Sequence, residues 1–412
     1  MKKQIFVRGP FLSQSGYGEQ ARFALRALRS QEEKFDIYLQ PISWGETGWI
    51  WQDTDFRRWI DERIKTTQIL IHQKQFNPDI CLQITIPNEF QKIAPVNIGY
   101  TAGIETTKVS PQWLAKGNEM DKILVVSSHA KTTYVNTVAE AQNNQTGEVV
   151  PYKLTKPIEI VHETTPRYNS EPIEGLELKT KFNFLMISQW GPRKNFENAI
   201  KWWVEEFIDQ NVGLVLKTSI KSNSVMDFEY LEKRVESLLS NYKDRKCKVY
   251  ILHGDLTGNQ MTWLYNHDKI KAIVNIAHGE GFGLPLFEAA REGLPIVTIP
   301  WSGQMDFLHH NGKNYFQEVD YTLRPVQQQA QWPGVVEPDS MWAFAEQGAY
   351  KMTLRRTYKR WKQAKKTATE LQSLLDDKFD KEKLYSQFCD AVYTESEEEK
   401  KWNKTLSQVE LL

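Results

Sequence analysis

Cysteine is scarce in this chain: Cys81, Cys247 and Cys389 are its only three. They lie too far apart for a zinc-ligand spacing and make no disulfide framework, which points to a reducing compartment. Long apolar runs are missing too. No stretch approaches the roughly 20 residues that a membrane span needs. The opening Met-Lys-Lys-Gln-Ile-Phe-Val holds a short strand where a secretory leader would need a longer apolar core. Net charge is absent as well. The 52 basic and 52 acidic side chains cancel, so nothing global calls for nucleic acid or an anionic membrane as partner. A soluble, cytoplasmic protein is the expectation.

What the chain does have is length and alternation. Its 412 residues are enough for two or three domains with large cores. Short apolar strands alternate with amphipathic helical stretches, the pattern of βα units and parallel sheets. Strands are expected at 4–7, 35–39, 80–83, 96–100 and 122–126, with helices at 19–28, 57–65 and 110–118. The pattern restarts at 183–188 and continues through strands at 213–217, 248–252, 272–276 and 295–299. Between the halves, 143–152 and 164–178 are polar and carry Gly and Pro. That places a boundary near residue 175 and predicts an α/β protein of two doubly wound domains facing across a cleft. Ligands of such sheets collect beyond the carboxyl ends of the strands. After Asp339, read as a helix N-cap, the chain is expected to be helical to its end.

One segment concentrates the chemistry. His278-Gly-Glu-Gly-Phe-Gly-Leu-Pro-Leu-Phe-Glu-Ala-Ala290 follows a buried strand and opens a helix. Gly281 and Gly283 allow tight turns and close approach of a ligand, and Pro285 suits the start of a helix. The free N–H groups of that helix end face an anion, most naturally a phosphate, while Glu280 and Glu288 supply acceptors for hydroxyl groups. A phosphate together with several hydroxyls suggests a sugar nucleotide. An ordinary βα loop or a pair of hydrolytic carboxylates shares the spacing, but a hydrolase does not need phosphate-cradling glycines.

Glu280-Gly-Phe-Gly-Leu-Pro-Leu-Phe-Glu288 resembles the E-x7-E motif of retaining, nucleotide-sugar-dependent glycosyltransferases of the GT-B fold (glycosyltransferase family 4-like, group 1). The resemblance implies two Rossmann-like domains: residues 1–175 on the acceptor side and 176–379 binding the nucleotide sugar. A last helix, about 380–412, would cross back to the first domain. It implies that Glu288 holds the ribose hydroxyls and Glu280 the sugar hydroxyls. Gly281, Phe282, Gly283 and Leu284 would line the donor with backbone N–H groups. Arg193 and Lys194, in Ser188-Gln-Trp-Gly-Pro-Arg-Lys-Asn195, resemble the family's diphosphate clamp. The family often has Gly-Arg directly after that strand, where this chain has Gln189-Trp190. Lys217 is a further candidate cation, with a solvent-exposed lysine as the plain reading. Relatives need no catalytic metal, so no cofactor is expected beyond the donor substrate.

In the first half, the loop holding Gly16 and Gly18 is the counterpart expected to close on the donor phosphates. Many relatives place a histidine near residues 98–107. None occurs there, which leaves Glu105 or His129 to contact the transferring sugar. Trp44, Trp49 and Trp51 are candidates to line an acceptor groove, and Asp53-Thr-Asp55 reads as a surface turn. His162-Glu-Thr-Thr-Pro lacks a second histidine and is set aside as a zinc motif.

A glycan or lipid-linked sugar is the default acceptor for such a family. Residues 354–366 carry seven cations with Tyr358 and Trp361 interleaved. They read as a solvated helix face, or as a nucleic-acid contact for an enzyme glycosylating hydroxymethylated DNA bases. A non-catalytic sugar-nucleotide-binding protein and a phosphorylase-like enzyme stay open beside these.

Overall fold

The computed structural model describes residues 2–142, 145–396 and 399. Two six-stranded parallel sheets form the frame. In the first, the order across the sheet is Phe35–Pro41, Lys3–Gly9, Ile80–Ile84, Val96–Thr101, Lys122–Val125 and Ile158–Ile160. In the second it is Lys248–Leu252, Gly213–Ser219, Asn183–Gln189, Ile270–Asn275, Ile296–Thr298 and Gln317–Glu318. The second is the Rossmann order of strands, whereas the first reverses one strand earlier, as in flavodoxin-like sheets. Strand order is set by which faces pack together, so the one-dimensional pattern could not distinguish the two.

The predicted strands and helices exist nearly where expected, because buried parallel strands read as unbroken apolar runs. The first helix, Gly16–Arg29, is capped by Ser15, whose hydroxyl accepts from the Gly18 N–H at 3.0 Å. Its ends carry Glu19 in the first turn and Arg26 and Arg29 in the last, matching the helix dipole. Thr54 caps the helix Asp55–His72 in the same way. Asp53 and Asp55 are exposed there and pair with Arg58, so the segment expected to be a surface turn is an exposed helix start.

The region after Asp339 departs from expectation. Met341–Ala345 is a strand, paired antiparallel with Tyr321–Pro325, and the helix starts only at Gln347. The apolar run Met-Trp-Ala-Phe-Ala finds a β partner in a separate two-stranded sheet, and that tertiary pairing overrides the capping signal. The segment 143–152 is also not a plain linker: Ala139–Gln142 pairs with Val149–Tyr152, residues 143 and 144 lying outside the described residues.

The helix Lys381–Val392 packs on the first sheet's side of the molecule. Phe388 lies 5.6 Å from Phe23 and 5.4 Å from Tyr100 between ring centroids, and the Cys389 thiol donates to the Ala27 carbonyl. Of the rest of the predicted crossing segment, 397, 398 and 400–412 lie outside the described residues. All three cysteines are buried free thiols. Among the described residues, no helix is long and apolar enough to cross a membrane.

Candidate active site

The second sheet's strand order reverses between Asn183–Gln189 and Ile270–Asn275, so the loops after these two neighbouring strands meet beside the cleft. The first carries Arg193 and Lys194 in a 3-10 turn, Pro192–Lys194. Asn195 follows in the left-handed region (φ 51°) and redirects the chain into the helix Phe196–Phe207. The second carries Glu280. A backbone hydrogen bond from His278 N–H to the Arg193 carbonyl, 2.8 Å, ties the two loops together.

Glu280 is almost fully buried and multiply bonded. Lys194 Nζ lies 2.7 Å from both of its oxygens, Arg193 Nη1 3.1 Å from Oε2, and Asn275 Nδ2 2.8 Å from Oε1. Burial alone would raise its pKa, but the Lys194 and Arg193 charges outweigh it and hold the carboxyl at about 2. Its backbone N–H donates to Ser302 Oγ at 2.8 Å, and Ser302 itself sits at φ 70°. A non-glycine residue held there is strain of the kind found at functional sites. Arg193 also reaches the first domain, where its Nη1 is 3.1 Å from Glu105 Oε1.

Glu288 stands one helical stretch away, on the helix Leu284–Arg291. That helix begins after Gly283, whose φ of 93° explains the glycine, and has no side-chain cap. Burial pushes the Glu288 carboxyl up to about 7, although Tyr265 Oη donates to it at 2.8 Å. Lys217 lines the same cleft. Its Nζ donates to the Gly254 carbonyl at 2.7 Å, so its bonded partner is neutral, and burial lowers its pKa.

The cleft between the two sheets encloses about 1280 Å³ and is lined by Glu105, Arg193, Lys194, Lys217, Glu280 and Glu288 together. Gly16, Gly281, Gly283 and Leu284 line it as well. Two predicted residues, Gly18 and His129, are not on the cleft lining. A Cβ on Gly18 would lie 2.0 Å from the Ser13 carbonyl oxygen, so this glycine lets the first helix pack on its own loop. Gly16 has open space around it and keeps the cleft side. Phe282 lines the cleft but is only 3% exposed, its ring packing against Phe287 and Phe307, each 5.2 Å away. His129 packs edge-on against Trp301 at 5.1 Å, and burial lowers its pKa. Gly281 has a second reason to be glycine, since a Cβ there would lie 2.8 Å from the Ala102 carbonyl of the first domain.

The basic run is divided between two helices, Gln347–Lys359 and Trp361–Lys378. Its aromatics face inward: Tyr358 packs on Phe182 at 4.9 Å, and Trp361 donates to the Lys271 carbonyl at 2.8 Å. Arg355 pairs with Glu206, while Arg356, Lys359, Arg360, Lys362 and Lys366 remain exposed. No aromatic platform accompanies those charges.

Sequence reasoning missed Asn275 and Ser302, which hold Glu280, and the tie formed by His162. His162 Nε2 is 2.7 Å from Asp306 Oδ2, which also accepts from the Ser128 N–H at 2.8 Å. These are single polar residues in unremarkable sequence surroundings, and only their placement gives them a role.

No protein-family model and no curated protein sequence matches the chain. Solved structures do match its fold. Anabaena HepE, in complex with UDP and glucose, superposes with a TM-score of 0.60 at 12% identity, covering 99% of this chain and 100% of that one. Sucrose-phosphate synthase from Thermosynechococcus elongatus gives 0.61 at 13% identity over 99% and 100% of the two chains. The lipopolysaccharide outer core galactosyltransferase WaaB gives 0.53 at 12% identity over 95% and 99%. The architecture is thus the GT-B fold of glycosyltransferases, as the E-x7-E resemblance implied.

Proposed function

We propose that the protein is a retaining glycosyltransferase that moves a sugar from a nucleoside diphosphate sugar to an acceptor hydroxyl. The observation that carries this is the Glu280 constellation at the switch point. A carboxylate ionised to low pH, two cations and an uncapped helix start meet in a cleft beside Glu288 and Lys217. Similarity in fold to HepE, solved with UDP and glucose, supports a UDP-sugar as the first donor to test.

The leaving diphosphate carries most of the developing charge, so catalysis is electrostatic. Lys217, Arg193 and Lys194 supply positive charge, and the backbone of residues 281–284 supplies N–H donors. Glu280 accepts hydroxyls of the transferring sugar and Glu288 those of the ribose. Glu105 holds Arg193 toward the first domain. Closure of the domains keeps water from hydrolysing the donor. In this reading the cations and backbone N–H groups take the charge that a metal would otherwise offset, which the chelator arm of the test below checks.

The test is donor turnover with an NMR reading of product anomer, in wild type and in Glu280→Gln, with and without a chelator. Chelator-resistant turnover with retained configuration, lost in the folded variant, supports the reading. Donor binding without turnover favours a sugar-nucleotide-binding protein instead.

A further inference from the structure

The cleft has more room than a donor needs. Its volume, about 1280 Å³, exceeds the roughly 300–1,000 Å³ usual for one small ligand. Floor and mouth also differ in chemistry. The floor is charged, whereas indoles and neutral amides share the opening. Trp51 and Trp332 line the cleft yet are 67% and 56% exposed, so their rings stand at the mouth. Gln52, Gln329 and Gln331 line it too. Trp44, also on the lining, packs on Tyr17 at a tilt, with centroids 4.2 Å apart.

Both tryptophan-bearing segments are tied down within the protein. The Gln14 N–H donates to the Gly48 carbonyl and the Ile50 N–H to the Leu12 carbonyl, each at 2.8 Å, while Ser13 bridges Trp49. The Arg57 guanidinium donates to the Ile50 carbonyl. In the other segment, Trp332 and Val336 bridge each other, and Asn88 Nδ2 donates to the Gly334 carbonyl at 2.8 Å from the opposite domain. Large apolar rings held in water on fixed loops mark a binding surface, and their fixed position lowers the entropy lost on binding.

Charge at the opening narrows the ligand. Each lining cation near it has an acidic partner: Lys221, next to the Trp44–Trp51 loop, lies 2.8 Å from Glu46, Arg26 3.9 Å from Glu19, and Arg167 3.3 Å from Glu292 and in contact with Asp376. The exposed cations of 354–366 are not on the cleft lining. A phosphate-bearing acceptor would gain little here. A sugar ring fits: its C–H face is apolar like an indole, and its hydroxyls need both donors and acceptors, which an amide supplies.

We infer that the cleft mouth is an acceptor subsite for an uncharged oligosaccharide, its rings stacked on Trp51 and Trp332 and its hydroxyls bonded by the flanking glutamines. This rests on the glycosyltransferase reading for the donor half of the cleft.

The test uses protein saturated with whichever of UDP, GDP or ADP raises its melting temperature. Maltohexaose, cellohexaose and chitohexaose are titrated by calorimetry and tryptophan fluorescence, beside a deoxythymidine decamer and phosphatidylglycerol vesicles. At least one hexaose is expected to bind, and Trp51→Ala and Trp332→Ala each weaken it about tenfold or more at unchanged Tm, with Phe at either position retaining most affinity. Absence of hexaose binding, equal affinity in the alanine variants, or tryptophan-dependent binding of the decamer or vesicles instead overturns the inference. If no nucleoside diphosphate raises the wild-type Tm, the donor reading falls and this subsite with it. A nucleotide shift without hexaose binding removes the subsite alone.

Discussion

Glu105 and Arg193 meet across the cleft, Oε1 to Nη1 at 3.1 Å, on the same guanidinium nitrogen that lies 3.1 Å from Glu280. One cation therefore couples the first domain to the carboxylate of the second. Glu105→Gln should lower stability by no more than about 1 kcal/mol, since the pair is partly exposed. Donor turnover should fall about tenfold or more, equivalent to about 1.4 kcal/mol of barrier. Urea unfolding and steady-state turnover on one preparation check both halves.

The two glycines of the first loop should separate cleanly. Gly18→Ala puts a Cβ against the Ser13 carbonyl and should cost about 1–3 kcal/mol of stability, as overpacking does. Gly16→Ala enters open space at the start of a helix and should change stability by under about 1 kcal/mol, in the favourable direction. If Gly16 gives room to the donor, its alanine variant still raises the donor KM. Thermal melts with donor titrations decide this.

Lys217 is a lining cation bonded to a backbone carbonyl. Lys217→Met should weaken nucleoside diphosphate binding about 10- to 100-fold, the range of a lost charge-assisted hydrogen bond. Calorimetry with the nucleotide and with the free nucleoside gives the contrast: nucleoside affinity should barely move.

The two glutamates of the motif should oppose each other in pH dependence. Glu280 is held at about 2, below the ordinary 4.5. Its stabilisation is present above about pH 4.5 and is lost as pH falls through about 2. Glu288 is raised to about 7. The folded state then keeps a proton that the unfolded chain has released, so stability declines as pH rises from about 4.5 through about 7. Glu280→Gln should flatten the acid limb of a urea-unfolding pH series, and Glu288→Gln the limb toward neutrality. Donor affinity should rise with pH near 7 in wild type, as Glu288 ionises to accept ribose hydroxyls, and lose that rise in Glu288→Gln.

Much of this was legible because buried parallel strands and the loops after them leave strong local signals. The run 272–276 followed by Glu280 and Gly283 marked both a strand end and a helix start, and the structure puts both there. Arg193 and Lys194 likewise come just after a strand end, and the structure brings both to Glu280. What escaped depends on partners distant in sequence. Nothing around Asn275 or Ser302 announces a contact with Glu280, and nothing around Phe282 shows that its ring joins Phe287 and Phe307 in the core. Asp339 resembled an N-cap because the strand partner of Met341–Ala345 lies some twenty residues upstream. His129 follows a strand as cleft residues do, yet it stands in the first turn of the helix Ser128–Asn136 and packs on Trp301.

The most direct test of the central claim is a one-pot NMR assay of nucleoside diphosphate sugars with wild type and Glu280→Gln, following nucleotide release and the anomeric signal of the product. A retaining transferase should consume at least one donor with its anomeric configuration retained, and the folded variant should lose this activity. Turnover with inverted configuration, or full activity in Glu280→Gln, would contradict that reading.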